Sequence, residues 1–157
     1  KGLFGIPSQP VVTGYQVRNL NMRTETPEAI IGAMYDIGEL QREEQTILSL
    51  LSVLPAERIG YVVLEEILSE MKELDTLLLA LSTKGWLDFN QENSDFRISP
   101  VIQEAIRWKR EDILWDDCQH LIRILNHKLN YETDSGHLIN IDYVTFTELM
   151  VTYIRHY

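Results

Sequence analysis

Between Thr46 and Ile106 the hydrophobic period of the chain switches from helical to alternating and back, which restricts the fold more tightly than any other feature. Arg42 to Val53 is rich in helix formers. Ile47, Leu48, Leu50, Leu51, Val53 and Leu54 nearly surround its second half, so the spacing predicts a central buried helix that stops at Leu54-Pro55. Glu57-Arg58-Ile59 reads as a short strand. Tyr61 to Met71 forms the next helix, with Val63, Leu64, Ile67, Leu68 and Met71 at helical spacing. Leu74-Asp75-Thr76 opens a third helix with Asp75 as its cap, and Lys84-Gly85 closes it with a cationic last turn and a glycine. Then Trp86-Leu87-Asp88-Phe89 and Phe96-Arg97-Ile98 alternate about the polar run Asn90 to Asp95, the pattern of a hairpin. Ser99-Pro100 restarts a helix, serine capping and proline first, with Val101, Ile102, Ala105, Ile106 and Trp108 on it. Three helices, a hairpin and a closing helix follow the order of a winged helix.

The flanks are less constrained. Residues 1–26 read as irregular, broken by Gly5, Pro7, Pro10 and Gly14, with Val11-Val12-Thr13 and Tyr15-Gln16-Val17 as short strand pieces. Thr26-Pro27-Glu28 starts a short helix over about 27–37 that carries Ile30, Ile31, Met34 and Tyr35 and ends near Gly38. Asp112 to Asn130 is expected to be the longest helix, with Leu114, Cys118, Leu121, Ile122, Leu125 and Leu129 on one stripe. Glu132 to Gly136 is a turn-rich break. Asp142 caps a last helix in which Phe146, Leu149, Met150, Tyr153 and Ile154 repeat at three and four. Two amphipathic helices joined by a loop are one unit of a helical array. The fold class is therefore mainly α: residues 1–40 an arm with a short helix, 41–110 a winged helix, and 111–157 an α-helical hairpin of repeat-like character.

Composition excludes several functions. No run of about 18 apolar residues predicts a membrane span, and residues 1–7 lack the long apolar core of a signal peptide. The chain opens on Lys1 instead of methionine, as a fragment or processed chain would. One cysteine, Cys118, rules out an internal disulfide framework and fits the reducing cytoplasm. Net charge is −10, which repels polyphosphate at long range. From Gln41 to Pro100 there are five basic residues against eleven acidic. The third helix offers no Arg, Gln or Asn to read base edges, and its wing tip holds Glu92 and Asp95. DNA binding is thus the alternative reading, as a winged-helix transcription regulator.

No constellation for catalysis or metal stands out. Asp116 and His120, four apart, could lie on one helix face, with His127 a further seven on; ligands on one face need a third partner and a dry shell, and a solvated polar face explains them. Cys118 falls on the apolar stripe, as a small core residue does. Neither GxxxxGK[ST] nor GxGxxG occurs, and there is no serine elbow. Glu65-Glu66 and Asp116-Asp117 point apart on a helix and form no dyad. Trp86 reads as a core residue at the wing root. Trp108 and Trp115 are seven apart across Lys109-Arg110-Glu111-Asp112. On one continuous helix they share a face and could dock a partner; core packing between the two helical parts is their other use.

Three blocks in order, Leu50-Leu51-Ser52-Val53-Leu54-Pro55, Leu81-Ser82-Thr83-Lys84-Gly85-Trp86-Leu87 and Phe96-Arg97-Ile98-Ser99-Pro100-Val101-Ile102-Gln103-Glu104, resemble the winged-helix segment of STAND-type signalling NTPases, the NB-ARC class. The resemblance covers about residues 40–110 and, more loosely, the helices that follow. It implies an upstream nucleotide-binding core and downstream helical repeats, often tetratricopeptide, as partners within one parent chain. It implies ADP or ATP in that parent, and no cofactor and no hydrolysis in this segment. In the family the junction after the wing often carries a Met-His motif, whose histidine touches the phosphates of bound ADP and holds the closed, resting state. Ile98 and Ser99 occupy those positions here, so Ser99 is the candidate nucleotide contact, with a hydroxyl where the family has an imidazole. Its role as the cap before Pro100 accounts for the same residue. The expected function is a non-catalytic regulatory and protein-interaction module in signal transduction.

Overall fold

The computed structural model describes residues 35–134 and 141–154; of residues 131–134, 141 and 142 it describes the backbone. The short helix expected near 27–37, the strand pieces before it and most of the 1–40 arm lie outside these residues. At the arm's end Tyr35 to Leu40 forms a 3-10 turn over Ile37–Glu39, with Asp36 as its cap, instead of α-helix. The described residues are mainly helical, with seven α-helices and a small three-stranded sheet.

Helix α1 (Arg42–Ser52) buries Ile47, Leu48, Leu50 and Leu51, and at its N-terminus the Glu44 carboxylate reaches back to accept from Gln41 N–H at 2.9 Å. Its C-terminus is closed from a distance. Gln103 Nε2 donates to the carbonyls of Leu51 (2.9 Å) and Leu54 (2.7 Å), and the Arg107 guanidinium donates to that of Ser52. A cation and an amide thus meet the negative end of the helix dipole.

Strand β1 is Ile59–Gly60, two residues later than expected, and runs directly into α2 (Tyr61–Ile67). Helix α2 stops four residues before Met71. Leu68 leaves helical geometry while fully buried, and Met71 N–H bonds back to its carbonyl, so the apolar spacing continues through turns. Helix α3 (Leu74–Thr83) is not capped by Asp75. Its cap is Glu73, in left-handed geometry (φ 54°) with no side-chain cap bond. Buried Leu74 must enter the core as the first helical residue, which pushes Asp75 into the first turn, where its charge suits the dipole. At the other end Gly85 N–H bonds Ser82 O and Trp86 N–H bonds Leu81 O, a Schellman closure with Gly85 at φ 87°.

Strands β2 (Asp88–Asn90) and β3 (Asp95–Arg97) form the hairpin, and β3 also pairs with β1, giving antiparallel order β1-β3-β2. Phe89 stands opposite Phe96, with ring centroids 4.7 Å apart. Trp86 precedes β2 and is buried beside Tyr35, a core position as expected.

Helix α4 (Pro100–Lys109) starts as the sequence predicts, Ser99 Oγ accepting from Ile102 N–H at 3.3 Å. The single helix expected over 112–130 is two, α5 (Glu111–Asp117) and α6 (Gln119–Asp134), separated at Cys118. The buried stripe Leu114, Cys118, Leu121, Leu125 survives the break because Cys118 keeps near-helical angles. Helix α6 continues through Glu132 to Asp134, where a turn was expected. Helix α7 (Ile141–Ile154) begins before Asp142, which is therefore no cap, and buries Tyr143, Phe146, Met150 and Ile154. Three helices, not a two-helix hairpin, thus follow Arg110. One hydrophobic cluster runs from Leu40 to Ile154 across both segments. Among the described residues no helix is long and apolar enough to cross a membrane.

Candidate functional site

The two segments meet around Arg110, which ends α4 and precedes α5 in non-helical geometry (φ −115°, ψ 20°). Its guanidinium turns inward. Nε donates to Ser49 Oγ (2.6 Å), and the terminal nitrogens to Gln45 Oε1 (2.6 Å) and Asp117 Oδ2 (2.8 Å). The helix does not run through this junction, so Trp108 and Trp115 do not lie on one continuous helix.

Neither of those tryptophans packs in the core. Trp108 is 53% exposed and Trp115 51%. The core-packing use weighed for them is therefore wrong: the interior between the segments is filled by Leu114, Ile106 and the Arg110 network. Trp115 instead stands at the rim of a groove of about 440 Å³ between α6 and α7. Ile122, Arg123, Asn126 and Leu129 line one wall; Thr147, Met150, Val151 and Ile154 line the other. Val151 is 49% exposed, so apolar surface continues from groove to solvent. The sequence placed Ile122 and Leu129 on the core stripe; in the structure they are half-buried groove walls.

Helix α3 presents Asp75, Thr76, Leu79 and Thr83 to solvent. Two of the cations near it are paired with carboxylates. Lys84 Nζ donates to both oxygens of buried Glu44 at 2.9 Å. Arg58 is held by Asp95 at 2.9 Å and by Asp88, chiefly the Asp95 bond keeping its guanidinium even more strongly basic. Arg42 on α1, Lys72 in the turn just before α3 and Arg97 on β3 are exposed.

Ser99 is half-buried, and its hydroxyl is engaged at the start of α4. Ser99→Ala should cost about 1 kcal/mol, the usual worth of an N-cap; urea denaturation measures it, and an unchanged midpoint would remove the cap from the account.

The polar groups expected near one another on α5 and α6 go elsewhere. His120 Nδ1 lies 2.9 Å from Glu70 Oε2, while its Nε2 is buried with no hydrogen-bond partner. Asp116 is exposed. Among the described residues no group of three or more His, Cys, Asp or Glu is arranged to hold a metal. Burial pushes the Cys118 thiol up to about 12, so it is a thiol at neutral pH and packs as a small apolar group.

Glu66 of α2 ties the C-terminal helices to the sheet-bearing part. It accepts from Lys128 of α6 (2.6 Å) and from the Tyr143 hydroxyl of α7 (3.2 Å). The Lys128 hydrogen bond, above all, lowers the Glu66 pKa below its ordinary 4.5, and the same bond raises that of Lys128 above 10.5. The Glu66 contribution is therefore complete above the unfolded value and is lost as pH falls through the lower folded one. The Lys128 contribution is complete below its unfolded value and is lost as pH rises through the higher folded one. Glu66→Gln should flatten the fall of Tm on acidification below about pH 4.5 and leave the neutral plateau shape unchanged. Thermal melts between pH 3 and 7, run on both proteins at about 0.1 M salt, check this; parallel acid limbs would contradict it.

Comparisons of the chain with protein-family models, with curated proteins and with solved structures return no match.

Proposed function

We propose that residues 41–110 are a winged helix that docks on protein, as a non-catalytic regulatory module of a larger signal-transduction NTPase. The observation that supports this best is the outward face of α3. It offers Asp75, Thr76, Leu79 and Thr83, with Lys84 drawn back onto Glu44. A helix that reads DNA needs guanidinium or amide donors for base edges and cations for phosphate. This face has neither, and its half-exposed Leu79 suits a protein surface.

The element order α1-β1-α2-α3-β2-β3-α4 and the hairpin beside α3 support the winged-helix reading. In a STAND-type parent, which the three sequence blocks resemble, the winged helix would pack against an upstream nucleotide-binding core. Nucleotide state would bias it between a docked and a released position. Helices α5–α7 would open the downstream helical array, and the Arg110 junction would make the two parts move together. By that resemblance Ser99 would be the residue to meet nucleotide in the docked state, through its hydroxyl alone.

The test is fluorescence anisotropy with a duplex DNA of mixed sequence at about 0.15 M salt. No saturable binding is expected. Binding that weakens steeply with salt would favour the transcription-regulator reading instead.

A further inference from the structure

We draw no further inference here: the strongest candidate, the apolar groove between α6 and α7 with Trp115 at its rim, is an uncovered face, and nothing in the structure shows what covers it.

Discussion

Arg110→Met is expected to cost about 3 kcal/mol of stability. The side chain is 9% exposed and satisfies Ser49 Oγ, Gln45 Oε1 and Asp117 at once. Methionine fills similar volume but leaves the Asp117 carboxylate, 17% exposed, without its cation. The cost is thus the penalty of a stranded charge and two unmet polar groups, more than the worth of the pair itself. Two consequences separate this mechanism from loss of packing. Adding Asp117→Leu to Arg110→Met should recover part of the loss, because the stranded charge is then gone. Asp117→Leu alone should be destabilising too, since it leaves the buried guanidinium short of a partner. Urea unfolding of the three variants measures all of this; additive losses would contradict it.

Leu114→Ala should cost about 2–5 kcal/mol, the range for emptying a fully buried leucine site. Leu114 is 0% exposed on the short helix α5, which packs against α1. The informative readout is the shape of the transition. One continuous hydrophobic cluster joins both segments, so unfolding should stay a single step with a lower midpoint and an unchanged urea dependence. Circular dichroism and tryptophan fluorescence should coincide, since Trp86 reports the sheet side and Trp115 the helical side. Two separated transitions would mean that residues 111–154 unfold on their own.

The parts of the fold written in local chemistry were legible in the sequence. The central helix from Arg42, the Lys84-Gly85 closure, the hairpin between Phe89 and Phe96, and the Ser99-Pro100 start depend on neighbours within a few residues. The parts that depend on distant partners were not. Arg110 reads in sequence as one more charge in a charged junction, but its partners Ser49 and Gln45 lie 61 and 65 residues earlier. Gln103 caps carbonyls 52 and 49 residues away, and nothing local marks it for that. The break at Cys118 was hidden because a near-helical joint leaves the apolar stripe in phase. The groove was hidden for a related reason. Helical spacing tells which residues of α6 and α7 are apolar, but not which apolar arc lacks a covering element. Ile122 and Leu129 therefore looked like core, and Trp115 looked like packing between segments. A usable signal was present: Val151 continues the α7 stripe onto a side that the core does not need.

The central claim is that the exposed face of α3 meets protein and not phosphate, and its most direct test is an amide NMR map recorded while duplex DNA is added at low salt. The resonances of Thr76, Leu79 and Thr83 should stay in place, and any weak shifts should scatter over Arg42, Lys72 and Arg97. Concerted, saturable shifts along α3 and the 91–94 hairpin turn that disappear as salt is raised would contradict the account.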